Sequence, residues 1–362
     1  MCSVERDDYM QVPDRSETFR GRGAGFNPPN RFIDSAYVEH DDVEEPYVPS
    51  LEMEYIPDAS KSIIASNDSP DLSFDRSINA YRGCEHGCSY CFARPTHEYL
   101  GYSAGIDFET KILVKMDAPK LLRQELMSKK WKPQVVFFSG VTDCYQPIER
   151  KLQLTRQCLE VLAEFRNPAL VLSKNALVAR DIDVFARLAE HHAIRVMLSI
   201  TSLDAALIGL MEPRTSRPKA RLGALRRLSD AGIPCGVMIG PIIPGLTDHE
   251  VPAILEAAAA AGAQYAGWTA LRLPHAVAPI FQDWLERAVP GKAAKVIAKV
   301  RGMRHGKLNE PDFFKRGRPE GPHMQLVRSL FEQTCLRLGL NHERPPLSIA
   351  SFQRPGEQLG LF

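Results

Sequence analysis

The sequence predicts an α/β protein built as a partial (β/α)6 barrel, with a disordered acidic N-terminal arm and a basic, partly helical C-terminal extension. From about residue 75 onward, short apolar runs alternate with amphipathic segments, the pattern of β-loop-α units around a parallel sheet. Six such runs fit the stretch, fewer than the eight of a complete barrel, so the barrel stays open. Charge is uneven: residues 1 to 60 hold 14 acids against 5 bases, whereas residues 287 to 354 hold 14 Lys and Arg against 5 acids. The division expected is an extended arm over 1–70, a core over 71–290 and a basic extension over 291–362.

Taken in order, the arm has no apolar periodicity long enough for a packed element. Its segment GRGAGFNPPNRF carries Arg20 just before it, then Arg22 and Arg31, bases that would fold back on acids or phosphate and strap the arm onto the core. The strands expected are Ser77 to Tyr81, Val135 to Ser139, Leu170 to Leu172, Ile194 to Ile200, Ile233 to Ile239 and Tyr265 to Leu271. Helix-like stretches lie between them at Arg150 to Phe165, Asp181 to His191, Pro218 to Ala231 and Asp248 to Ala261, with Asp248 placed to cap its helix. In the extension, RHGKLNEPDFFKRGRPEGPH reads as loop, and Met324 to Leu338 as a helix with Leu326, Leu330, Phe331 and Leu336 on one face.

Composition excludes fibrous, coiled-coil and wholly disordered classes, since 44% of the 362 residues are apolar. No window reaches about 18 uninterrupted apolar residues, and MCSVERDDYMQVPDR has acids where a leader would be apolar, so a cytoplasmic location without a membrane partner is expected. In a reducing compartment, a close group of cysteines is a metal or reactive site before it is a disulfide framework.

One such group exists. INAYRGCEHGCSYCFARPTHEYLG sets Cys84, Cys88 and Cys91 in C-x3-C-x2-C spacing directly after the first expected strand. Gly83 and Gly87 allow the loop to turn three soft thiolates inward on one metal centre. A structural zinc site is the alternative, with His86 or His97 as fourth ligand, although zinc pairs usually come as two separated pairs and no second pair exists here.

With Tyr90 as its aromatic, the C-x3-C-x-aromatic-C motif resembles that of the radical S-adenosylmethionine superfamily. The strand ends FFSGVTDCYQPIE, LSKN, LSITS and VMIGPIIPGLTD, with EPRTSRPKARLGALRRLSDAGIP, resemble the branch holding the spore photoproduct lyases and related DNA-repair photolyases. The resemblance covers roughly residues 75 to 275. It implies that the three cysteines hold a 4Fe-4S cluster whose open iron binds S-adenosylmethionine, and that reductive cleavage there gives a 5'-deoxyadenosyl radical. It further implies that Tyr90 lies along the adenine, Thr142 faces the methionine amino group, Lys174 meets the carboxylate and Ser199 the ribose. Glu212 and Arg214 are weaker candidates. Spore photoproduct lyases carry a hydrogen-donating cysteine where this chain has Gly140; Cys144, just beyond, is the substitute candidate. Cys158, Cys235 and Cys335 are expected in the core.

The implied partners are a low-potential electron donor and a nucleic acid. Arg301, Arg304, Lys307, Lys315, Arg316 and Arg318 surround Phe313 and Phe314, a mixture of phosphate-neutralising and base-stacking groups. The terminal QLGLF resembles the peptide by which repair proteins dock on the sliding clamp, through Gln358, Leu359, Leu361 and Phe362. Two other functions remain open on sequence: radical chemistry on a protein, peptide or small molecule, and a non-catalytic zinc-stabilised interaction module.

Overall fold

A computed structural model describes residues 21–33, 50–72 and 74–356; Arg20, the acidic run before residue 50 and the terminal QLGLF lie outside the described residues. The strands are β1 (Glu54–Pro57), β2 (Ile64–Ser66), β3 (Arg76–Ile78), β4 (Tyr81–Arg82), β5 (Lys111–Val114), β6 (Val136–Phe138), β7 (Ala169–Ser173), β8 (Ile194–Ser199), β9 (Cys235–Ile242) and β10 (Tyr265–Ala270). Seven of them form one sheet in the order β10-β9-β8-β7-β6-β3-β2. The run from β3 to β10 is parallel throughout and follows chain order, as expected when each crossover returns beside the strand just left. β10 and β3 do not pair, and β2 joins β3 antiparallel at the far edge, so the wall is an open six-strand barrel with one added strand.

Local sequence explains the layering. β8, IRVMLS, is buried at every position, as a strand covered on both faces must be. The helices are α1 (Ile106–Thr110), α2 (Ala118–Met127), α3 (Glu149–Leu152), α4 (Leu154–Phe165), α5 (Ile182–Ala189), α6 (Ala205–Met211), α7 (Pro218–Asp230), α8 (Val251–Ala260), α9 (Val277–Ala288), α10 (Pro290–Gly302) and α11 (Pro322–Leu338). The stretch expected as one helix from Arg150 to Phe165 breaks at Gln153, whose φ is 53°. The buried Glu149 carboxylate accepts the N–H groups of Thr155 at 3.1 Å and Arg156 at 3.3 Å, which satisfies the free amides that open α4. Asp248 does not cap α8; its carboxylate instead meets His323 of α11 at 2.5 Å. On α11 the buried side chains are Met324, Val327, Phe331 and Cys335, while Leu326, Leu330 and Leu336 are exposed, so the expected apolar face is rotated.

A second sheet, β1-β5-β4, had no counterpart in the sequence reading. β4 leads straight into the cysteine loop and β5 leaves it, so this small sheet is the loop's frame. Two chain segments bind the assembly from opposite sides. Residues 21–33 lie against the cysteine loop, where Arg31 pairs with Glu98 at 3.0 Å. Residues 341–354 run under the N-terminal ends of the strands: Arg195 donates to the Pro345 carbonyl at 2.7 Å, Ser348 N to His192 O at 3.0 Å, and Arg354 to the carbonyls of Leu126, Ser128 and Trp131. Asn341 closes the β10 edge, its amide exchanging hydrogen bonds of 3.0 and 2.9 Å with the Ala266 backbone.

Candidate active site

The cysteine loop is folded by two left-handed glycines, Gly83 at φ +81° and Gly87 at φ +64°. It is then pinned from behind. Arg94, fully buried three residues after Cys91, donates from Nε and Nη2 to the Cys88 carbonyl at 3.1 and 2.9 Å, and from Nη2 to Glu109 at 2.5 Å. Glu109 also accepts the N–H groups of Gly23 at 3.2 Å and Ala24 at 2.8 Å. A Cβ on Gly23 would fall 1.8 Å from the Gly87 oxygen. The N-terminal strap therefore touches the loop backbone to backbone, and a residue with any side chain does not fit there.

Cys84 and Cys88 are buried, Cys91 is half-buried, and all three are free thiols. Burial pushes the Cys91 thiol up to about 11, with the Cys84 sulfur adding to it, while Arg94 and Lys174 pull the other way. Burial raises Cys88 as well, and the Lys174 ammonium opposes it.

Lys174, at the end of β7, donates to Ser199 Oγ at 2.6 Å and to the Gly240 carbonyl at 2.8 Å, and its Nζ lies 5.8 Å from the centre of the Tyr90 ring. Ser199 Oγ and Thr201 Oγ1 donate to the same Gly240 oxygen at 3.1 and 3.0 Å. Tyr90, Lys174 and Ser199 therefore meet at the C-terminal ends of β7, β8 and β9. The Tyr90 hydroxyl donates to Glu212 and contacts Thr201 at 3.2 Å. Glu212 pairs with Arg221, not with Arg214, and both partners are fully buried. Burial alone would raise the Glu212 pKa, but Arg221 and then Lys174 outweigh it and hold it at about 2. Arg214 turns to the strap side, where it meets Met53 Sδ at 3.3 Å.

Thr142 spends its hydroxyl on the Gly83 carbonyl at 2.6 Å, which ties the loop after β6 to the start of the cysteine loop. Cys144 is buried behind it. Ser139 Oγ donates to its sulfur at 3.1 Å, and the thiol in turn faces the Leu172 carbonyl at 4.0 Å. Burial pushes its thiol well up, so it stays an S–H group. At Gly140 an added Cβ would meet only ordinary contacts, with Ser77 and Asn79 at 3.4 Å and beyond.

Sequence reasoning missed the residues that hold these groups in place. Asp143 accepts Ser173 Oγ at 2.7 Å and Lys174 N at 2.8 Å, and pairs with His86 at 3.4 Å. Burial alone would lower the His86 pKa, but the Asp143 carboxylate overrides it and raises it to about 10; in turn His86 brings Asp143 down to about 2 against its own burial. His97 is driven by burial down to about 4, with neither ring nitrogen hydrogen-bonded, and it packs on Phe108. His86 is held by Asp143 and Asn175 and also faces Cys84, whose sulfur adds to its raised pKa.

Residues 78–258, half of the chain, match the model of the Radical SAM superfamily. The chain belongs to the radical SAM superfamily. Relatives of uncharacterized function include a protein of Mycobacterium tuberculosis, 37% identical over 221 residues, covering 60% of this chain and 65% of that one. A Methanocaldococcus jannaschii protein is 33% identical over 173 residues, covering 48% and 62%. The chain thus spans just under two thirds of these relatives' length. Among solved structures, a spore photoproduct lyase complexed with dinucleoside spore photoproduct superposes with TM-score 0.56 at 15% identity, covering 79% of this chain and 80% of that one. A mutant of that lyase with bound AdoMet and the same ligand also gives TM-score 0.56 at 15% identity, over 82% and 85%. At that identity the likeness is one of fold.

The cofactors of the radical SAM superfamily are a 4Fe-4S cluster and S-adenosylmethionine, and the residues present fit them. The donor set is three sulfurs with no competing oxygen, and the Ser89 hydroxyl inside the loop is buried without a partner. Among the described residues no three of His, Cys, Asp and Glu converge on a single ion. A cube of iron and sulfide holds its thiolates at separate corners, farther apart than the ligands of one ion. The described helices include none long and apolar enough to cross a membrane.

Proposed function

We propose that this protein is a radical SAM enzyme acting on nucleic acid, in the manner of the spore photoproduct lyases whose fold it shares. The observation that carries the reading is that Tyr90, set between Cys88 and Cys91, has its ring 5.8 Å from the Lys174 ammonium, which is itself held by Ser199 and Gly240 at the strand ends. Cys84, Cys88 and Cys91 would hold a 4Fe-4S cluster, which would supply the low-potential electron for reductive cleavage of S-adenosylmethionine.

The chain's own residues bind and orient. Lys174 offers its positive charge to the cofactor carboxylate, Ser199 its hydroxyl to the ribose, and Tyr90 its ring to the adenine. Glu212 fixes the Tyr90 ring by accepting a hydrogen bond from its hydroxyl, and Arg221 keeps Glu212 ionised. Thr142 positions the loop after β6 through Gly83, with its backbone left to face the methionine amino group. Cys144, kept protonated by burial, is the candidate hydrogen-atom donor. The basic extension, with a low-potential donor as redox partner, supports a polyanionic substrate.

Anaerobic reconstitution tests the reading. The wild-type chain should take up iron, show the absorbance of a 4Fe-4S cluster and, with a reductant, release 5'-deoxyadenosine faster when oligonucleotide is present; Cys88→Ala should lose all three. Uptake of zinc with no iron would overturn it. Cys144→Ala should leave cofactor cleavage within about two-fold of wild type while altering the fate of the substrate, read as deuterium carried from labelled substrate.

A further inference from the structure

A guanidinium without a hydrogen-bond acceptor among the described residues stands beside the cysteine loop. Arg272 follows β10 directly, and its side chain is half-buried. It makes no hydrogen bond or ion pair among the described residues, and its Nε is sealed from water. Burial lowers its pKa, the Arg316 charge lowers it further, and Asp71 alone opposes them. Asp71 is already taken, since Arg316 holds it from Nε at 2.7 Å and from Nη2 at 2.5 Å. Arg304 is buried behind the pair and donates to the carbonyls of Leu271 at 2.7 Å and Arg316 at 3.2 Å; burial and then Arg272 bring it down to about 10. It is therefore a buried brace and not the surface contact its sequence position suggested. Three guanidiniums crowd here with too few carboxylates, and such an excess is relieved by an anion that offers a guanidinium fork a pair of oxygens, as a phosphate does.

Aromatic rings flank the same charges. Phe92, 55% exposed, lies with its ring 5.8 Å from the Arg272 guanidinium, and it is the residue after Cys91. On the opposite side Phe313, 51% exposed, lies 4.6 Å from Arg316. An aromatic, two guanidiniums and a second aromatic thus span from the cysteine loop to the C-terminal extension. Alternation of stacking faces and phosphate-binding charge is the chemistry that suits unpaired nucleic acid.

We propose that Arg272 and Arg316 take a backbone phosphate of an unpaired nucleic-acid segment and that Phe92 and Phe313 stack on its bases, which places a nucleotide on the cysteine loop itself. The proposal rests on the reading of the substrate as nucleic acid and adds the residues that seat it.

The test is binding of a fluorescein-labelled single-stranded oligodeoxynucleotide to the reconstituted full chain, followed by anisotropy across a series of salt concentrations. Arg272→Gln should weaken binding and reduce the slope of log K against log salt by about one. Phe92→Ala should weaken binding about ten-fold with the slope unchanged. Arg337→Gln, on the outer face of α11, should behave as wild type. Arg272 makes no hydrogen bond among the described residues and Phe92 is exposed, so equal iron content and an equal melting temperature verify that the variants are folded. Wild-type slope and affinity in both variants would overturn the site and leave the nucleic-acid reading standing. Absence of any salt-sensitive binding by the wild type would overturn that reading and the site with it.

Discussion

Glu212 shows how far a single carboxylate can organise this site. It accepts from Tyr90 and from Arg221, and its pKa is held at about 2, below that of an ordinary carboxylate. Because the folded value lies below the unfolded one, the stabilisation is complete above pH ~4.3 and is lost as pH falls toward 2. Glu212→Gln leaves Arg221 buried without its counter-charge and should lower stability at neutral pH by about 3–5 kcal/mol. Urea midpoints measured from pH 7 to 2 should show the gap between wild type and variant closing on the acid side. Gly23 is a second single-residue control point, because backbone atoms on the cysteine loop block any Cβ there. Gly23→Ala should cost about 2 kcal/mol and weaken iron retention, measured by thermal unfolding and by release of iron to a chelator. Gly223→Ala, where a Cβ meets nothing, should instead stabilise α7 by up to about 1 kcal/mol. At this scale the cysteine trio, Tyr90, Lys174 and Ser199 were legible because each sits in a short motif or at a strand end. Arg221, Glu109 and Asp143 were not, since each is defined by a buried partner brought to it by the fold.

Among elements, the six parallel strands were legible because each is a compact apolar run that must be covered on both faces, as β8 is. The small sheet was not: β4 is two residues long, and β1 is an exposed EYIP segment that pairs with a strand far along the chain. Register on α11 was misread for a related reason. Leu326, Leu330 and Leu336 are exposed, yet they outweigh the residues that face inward in its sequence: the helix packs on α8 and the Trp268 ring with Met324, Val327, Phe331 and Cys335 buried. The strap over 21–33 acts as an element too. A chain lacking residues 1–20 should retain iron like wild type, whereas one lacking 1–33 should lose it several-fold faster, because Glu109 then keeps Arg94 but forfeits two backbone donors. Asn341→Ala should cost about 2 kcal/mol and promote association between molecules, read by light scattering, since it uncovers β10.

For the whole molecule, the open wall leaves two unjoined strands, and each is managed by sequence outside the barrel proper: β2 covers β3, and Asn341 covers β10. Residues 21–33 supply the strap above, as the basic residues of that segment suggested, and residues 341–354 of the C-terminal extension supply the belt below. The belt passes beneath the strand starts at His192, Phe165 and Leu126, on the face opposite the thiols. A long polymer laid over the mouth therefore meets the strap, Phe92 and the guanidiniums without touching the belt. The two faces of the wall are thereby divided in labour, the belt fastening the strand starts while the strand ends are left to the thiols and Lys174.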